Sequence, residues 1–119
     1  MDFMYLATVG RRTGRPHVIE IWYATNEGVH YVMSGGRERA DWVRNIQANP
    51  TVTFRLGGAR ELTTEGSAPG LARVVGAGPE DDQARRLLAA KYQGWREGTE
   101  LSDWAQTALP VAISPLARR

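Results

Sequence analysis

The sequence contains no cysteine, which excludes disulfides, thiolate metal sites and a cysteine nucleophile. It has only two histidines, and Lys91 is its one lysine. No apolar run approaches the roughly 20 residues needed to cross a bilayer, so no membrane span is expected. The opening Met1-Asp2-Phe3-Met4 runs into alternating, strand-like sequence without a signal-peptide pattern, and a cytoplasmic protein is expected. The 119 residues are expected to form one domain, 1–119. A chain of that length buries roughly two thirds of the surface its unfolded form exposes, enough for a core without staples. The net charge is a mild +2, yet 14 of the 15 basic residues are arginine. That bias reflects either a GC-rich codon usage or bidentate anion recognition at particular arginines.

What is present reads as β structure. Phe3 to Val9 is a first strand, ended by the glycine-containing turn Gly10 to Arg15. His17 to Ala24, dense in β-branched and aromatic residues, is a second strand. Asn26-Glu27-Gly28 is turn chemistry, and Val29 to Ser34 is a third strand, expected to pair with the second as a hairpin. A helix is expected from about Arg39 to Ala48, with Trp42, Val43 and Ile46 as its apolar stripe, stopped by Asn49-Pro50. Thr51 to Leu56 alternates, with Val52, Phe54 and Leu56 inward. Further strands are expected over Arg60–Glu65 and Leu71–Val75, separated by a loop, Gly66 to Gly70, that looks like an insertion. Pro79-Glu80-Asp81-Asp82 begins a second helix that runs through Tyr92. Ala108 to Ser114 is the last strand, where Pro110 suggests an edge or an end. The expected fold is mainly β (α+β), a small barrel of about six to seven antiparallel strands carrying two helices.

Folding the hairpin about Asn26-Glu27 places His17 near Gly36, Ile19 near Ser34 and Trp22 beside Tyr31. The turn Arg11-Arg12-Thr13-Gly14-Arg15 and the loop Ser34-Gly35-Gly36 then share one end with the start of the first helix. Guanidinium groups, glycine backbone and free helical N–H groups together make an anion site. Each signal alone describes an ordinary turn. There is no Walker A ending and no GxGxxG after a strand. His17 and His30 do not face each other and no carboxylates cluster near them, so no metal site is expected. No nucleophile elbow or Ser–His–Asp arrangement occurs. Glu20, inside an apolar strand, is either an outward or arginine-paired side chain or a carboxylate in a pocket. A chain without evident acid, base, metal or nucleophile fits redox chemistry carried by a cofactor that the protein positions.

The stretch Thr8 to Pro16, the Ser34-Gly35-Gly36 loop and the run Asp41 to Pro50 (Trp-x-x-Asn-x-x-Ala-Asn-Pro) resemble the deazaflavin-dependent nitroreductase family. Its members are split β-barrels related to pyridoxamine-phosphate-oxidase-like FMN-binding proteins. The resemblance implies a homodimer that binds coenzyme F420 and passes hydride to a small organic acceptor. By position, Arg11, Arg12, Thr13, Gly14 and His17 match the phosphate-holding part. Ser34, Gly35 and Gly36 match the loop against the ring system, with Trp42 and Asn45 behind it. Trp22, Tyr92 and Trp95 are the expected substrate-pocket aromatics. Relatives often carry lysine where Ser34 stands, and some carry arginine at His17, which keeps FMN open as the alternative cofactor. A cofactor carrier without turnover, or a binder of single-stranded nucleic acid, is a competing class. With +2 overall and no basic stripe beyond the turn and Arg37/Arg39, nucleic acid is not the expected partner.

Overall fold

In the computed structural model the described residues are 2–57 and 67–116. They form one seven-stranded, wholly antiparallel sheet. Its strands are β1 (Phe3–Val9), β2 (Pro16–Ile21), β3 (Ala24–Asn26), β4 (Val29–Ser34), β5 (Thr51–Gly57), β6 (Ala68–Val74) and β7 (Leu109–Pro115). Helix α1 (Asp41–Ala48) follows a 3-10 turn at Arg37–Arg39, while α2 (Pro79–Gln93) and a short α3 (Asp103–Thr107) separate β6 from β7. The mainly β fold and the antiparallel strands are as expected, and α3 adds a third helix to the two foreseen. The expected strand at Arg60–Glu65 lies outside the described residues.

The sheet order is β2-β1-β5-β6-β7-β4-β3. Strands β2 and β3 therefore lie at opposite edges, although only Trp22 and Tyr23 separate them in the chain. Ile21 and Ala24 are three residue steps apart, roughly 10–11 Å at full extension. The sheet has to curl until its edges approach within that span, and the curled half-barrel is the result. Among the described residues no ladder closes the gap, and the barrel is split there.

This seam corrects the expected hairpin. β2 pairs with β1, so His17 lies opposite Thr8 and Ile19 opposite Leu6. Only Ala24–Asn26 pairs with β4, and the partner of Tyr31 is Ala24, not Trp22. Backbone groups at the seam have no strand to pair with and need other partners. Helix α2 supplies them. The Tyr92 hydroxyl accepts from the Tyr23 N–H (3.1 Å) and lies 3.0 Å from the Tyr23 carbonyl and 2.8 Å from that of Asp2, either of which can take its proton. Lys91 donates to the same Tyr23 carbonyl at 2.9 Å, its ammonium lying over the Tyr23 ring.

Two apolar clusters cover the two faces. Inside the curl, Met4, Leu6, Val32, Val52, Phe54, Val111 and Ile113 pack against Trp42, Val43 and Ile46 of α1. On the outer face, Ala24, Tyr31, Met33 and Ala112 pack against Ala84 and Leu88 of α2, with Trp22, Tyr92 and Trp104 at the margin. Burial of this kind contributes about 25 cal/mol per Å² and is what holds helices as short as α1 and α3 in place.

Two further expectations are corrected. Leu56 is 40% exposed, since it lies near the strand end beyond the reach of the inner core. Ala68-Pro69-Gly70 belongs to β6 and is no loop. Gly70 is favoured by crowding: a Cβ there would stand 3.1 Å from both Phe54 and Ile113. Pro110 is the second residue of β7, at a strand end as expected, although β7 itself is interior, between β6 and β4. Its carbonyl accepts from the Val75 N–H at 3.0 Å, just past the end of β6. In an antiparallel ladder a residue's N–H and C=O face the same neighbour, so the donor that proline lacks would point where β6 has already ended.

Candidate functional site

The basic turn between β1 and β2 is closed by its own backbone. The Gly10 N–H donates to the Arg15 carbonyl at 2.8 Å and the Gly14 N–H to the Gly10 carbonyl at 2.7 Å. Gly14 has φ +72°, a left-handed conformation that suits glycine. A Cβ on Gly10 would stand 2.8 Å from the Thr13 hydroxyl and 2.9 Å from the Arg15 carbonyl. The Thr13 hydroxyl accepts from the Arg15 N–H at 3.2 Å. Gly10, Thr13 and Gly14 thus shape the turn from within.

Asn45 anchors that turn to α1. It is 2% exposed, its Oδ1 accepts from the Arg11 N–H (3.2 Å) and Nη1 (2.9 Å), and its Nδ2 donates to the Thr8 hydroxyl at 3.0 Å. Arg11 also meets the Asp41 carboxylate at 3.0 Å. The hydrogen bond and the charge of that guanidinium hold the Asp41 carboxyl below its ordinary pKa. Arg11 is therefore committed to the helix start. Arg12, Arg15 and His17 are exposed, and among the described residues their side chains make no hydrogen bond or ion pair. Arg11, Arg12, Thr13, His17, Asp41 and Asn45 line a shallow recess of about 210 Å³.

The Ser34-Gly35-Gly36 loop approaches this region by a route other than the expected hairpin. It leads from β4 through the 3-10 turn into α1, which Arg11 holds. Ser34 is buried and its hydroxyl donates to the Arg37 carbonyl at 3.0 Å. The Arg37 guanidinium donates to the Thr107 carbonyl at the end of α3. A Cβ on Gly35 would lie 3.6 Å from Trp104 Nε1, and one on Gly36 would lie 3.7 Å from the Ala40 Cβ. The loop is thus wedged between α3 and the start of α1. Trp42, 8% exposed, is packed into the inner core beneath it.

A second cavity opens at the seam. It measures about 400 Å³ and is lined by Phe3, Glu20, Ile21, Trp22, Met33, Gln93 and Trp104. Trp22 stacks on Tyr92 with centroids 4.6 Å apart and planes 4° from parallel, and meets Trp104 edge-on at 5.4 Å. Such contacts fix the wall of the cavity beyond what burial alone supplies. Trp22 lines it and Tyr92 stands behind Trp22, whereas Trp95 does not take part. The Trp95 indole donates to the Thr99 carbonyl at 2.9 Å and its ring lines a separate groove on α2 with Arg86 and Leu87. Gly94, in the left-handed conformation at the end of α2, turns the chain there. Trp104 was missed from the sequence, although Ser102, whose hydroxyl accepts from the Ala105 N–H at 3.2 Å, is a recognisable cap for α3.

Strand β2 connects the two places. His17 lines the basic recess and Ile21 lines the cavity, about 13 Å apart along an extended strand. Among the described residues no three metal-ligating side chains cluster, and no helix is long and apolar enough to cross a membrane.

The sequence matches the family model of the F420H(2)-dependent quinone reductases over residues 1–114. The chain belongs to this family. None of the curated proteins matches it. Among solved structures it is similar to an F420-H2-dependent reductase, FDR-A, at 22% identity over 93% of this chain and 91% of that one, with a TM-score of 0.65. The heme storage protein HutZ of Vibrio cholerae is similar at 19% identity over 98% and 82%, with a TM-score of 0.70. A third, described as a domain-swapped dimer, shares 23% identity over 93% and 78%, with a TM-score of 0.65. Pyridoxamine phosphate oxidase-like proteins are also among the neighbours. These structural likenesses establish a common fold, and the resemblance read from the sequence holds at the level of the family.

Proposed function

We propose that this F420H(2)-dependent quinone reductase family member is a cytoplasmic, homodimeric enzyme that holds coenzyme F420 along β2 and reduces a small planar acceptor in the seam cavity. The observation that carries the reading is the joining, by one strand, of a recess that holds the unpaired Arg12 guanidinium to a cavity walled by aromatic rings. The donor set of the recess fits a phosphate, since the Arg12 guanidinium offers charge-assisted hydrogen bonds and His17 a ring N–H, with exposed Arg15 next to them on the same turn. Arg11 and Asn45 position the turn, and Thr13 and Gly14 set its shape. The backbone at Ser34, Gly35 and Gly36 faces the ring system, with Trp42 and Asn45 supporting α1 behind it.

When bound, reduced F420 supplies the hydride. The protein's task is to place the acceptor, which the wall of Trp22 and Trp104, with Tyr92 stacked behind Trp22, performs. No side chain in the cavity has to act as an essential base. The domain-swapped dimer of similar fold supports the expectation of a homodimer, and size-exclusion chromatography with light scattering tests it. The recess would accept the phosphate of FMN equally well, which makes FMN the second reading. Mixing the protein with reduced F420 and menadione is expected to give saturable re-oxidation of the cofactor. Re-oxidation only with reduced FMN, or with neither, would overturn the proposal.

A further inference from the structure

Six of the seven side chains that line the seam cavity are uncharged, and the one exception is Glu20. It lies on edge strand β2 with apolar Ile19 and Ile21 on either side. Its side chain is exposed and makes no hydrogen bond or ion pair. Two cations of this region have other partners. Lys91 donates to the Tyr23 carbonyl with the Asp2 carboxylate 3.7 Å away, and the Arg55 guanidinium lies over the ring of Tyr5, the strand neighbour between Arg55 and Glu20. A fold that needed this carboxylate for stability would pair it or cap a helix with it. Here it contributes only a negative charge at the rim of an otherwise neutral, aromatic cavity.

We propose that Glu20 sets the charge preference of the cavity, admitting neutral and cationic planar acceptors and turning anionic ones away. This rests on the acceptor binding at the seam. The physical effect is repulsion between like charges several ångström apart, in a site between bulk water and protein interior, and it discriminates by about tenfold. Because the cavity is open, salt screens the effect, and the discrimination narrows as ionic strength rises.

The test compares menadione with 1,2-naphthoquinone-4-sulfonate, a neutral and an anionic quinone, on the wild type and on Glu20→Gln, Glu20→Lys and Glu20→Asp. The quantity read is kcat/KM for the sulfonate divided by kcat/KM for menadione, with reduced F420 as donor, so that the different reactivities of the quinones cancel between variants. The ratio is expected to rise about tenfold in Glu20→Gln, further in Glu20→Lys, and to stay at the wild-type value in Glu20→Asp. A second reading, the Kd of each quinone from saturable quenching of tryptophan fluorescence without cofactor, should follow the same order. Ratios equal in all four proteins, with turnover intact, would overturn the role of Glu20 and leave the reductase standing. Binding ratios that shift as expected without any turnover would overturn the reductase and leave the role of Glu20 standing.

Discussion

The two ends of strand β2 are built from opposite materials. At the Pro16-His17 end the site is cationic, shallow and shaped by backbone hydrogen bonds, with Arg11 tied to Asp41 and Arg12 left free. At the Glu20-Ile21 end it is aromatic, larger and carries one carboxylate without an ion pair among the described residues. The first end owes its form to glycine geometry and to Asn45. The second owes its form to packing across a seam where the sheet fails to close. An elongated ligand lying along β2 would meet positive charge at one end and an apolar wall at the other. On the proposed reading, the same strand would sort the phosphate from the reacting part of the cofactor.

The comparison can be broken most severely at the aromatic end. Trp104→Ala removes the edge contact to Trp22 and the packing of α3, and should cost about 2–3 kcal/mol of stability in a denaturant melt. At the basic end, Asn45→Ala strands the Thr8 hydroxyl and the Arg11 N–H in a buried place, a loss of about 2 kcal/mol. The same variant should weaken cofactor binding, because the turn loses its anchor. Arg12→Ala should leave the melt unmoved and weaken cofactor binding by about 1–3 kcal/mol, a rise in Kd of roughly fivefold to 150-fold by titration. A melt that moves with Arg12 would show that this cation is structural after all.

Smaller effects come from groups outside both ends. The Tyr31 hydroxyl donates to Glu80 at 2.7 Å, and Arg73 grips both oxygens of that carboxylate at 2.8 and 2.7 Å. These contacts, Arg73 first, pull the Glu80 pKa down to about 2, while burial and then Glu80 push Tyr31 up to about 12. A depressed carboxylate stabilises the fold above its unfolded pKa near 4.5, and that contribution disappears as the pH falls toward 2. Tyr31→Phe should cost about 1 kcal/mol at neutral pH and flatten the acid limb of the melting curve. His30 is buried against Phe54, with Thr25 2.7 Å from its Nδ1, and burial lowers its pKa from 6.5. Its neutral form belongs to the fold, so the melting temperature should dip as the pH falls below about 6.5 and hold steady above it.

Much of this was legible from the residues. The turn Gly10 to Arg15, helix α1 with its Trp42-Val43-Ile46 stripe, and the proline-led start of α2 were each read from local chemistry, because local chemistry decides them. The seam was not legible. His17 to Ala24 is an unbroken β-favouring run with no glycine or proline to mark an interruption, and the break at Trp22-Tyr23 is imposed by sheet curvature and by Tyr92 and Lys91, about 70 residues away. Gly70 misled for a related reason. Its familiar local meaning as a loop former is overridden by a crowded core. Trp95 and Trp104 changed places as cavity residues because α3, five residues long, has too little periodicity to announce itself.

The central claim is that the free cations at the head of β2 hold the phosphate end of F420. Its most direct test is a fluorescence titration of the protein with oxidised F420 and, separately, with FMN, repeated on Arg12→Ala. The account predicts saturable binding of F420 and a loss of about fivefold or more in F420 affinity in the variant. F420 binding that is absent, or that is the same with and without Arg12, would contradict it.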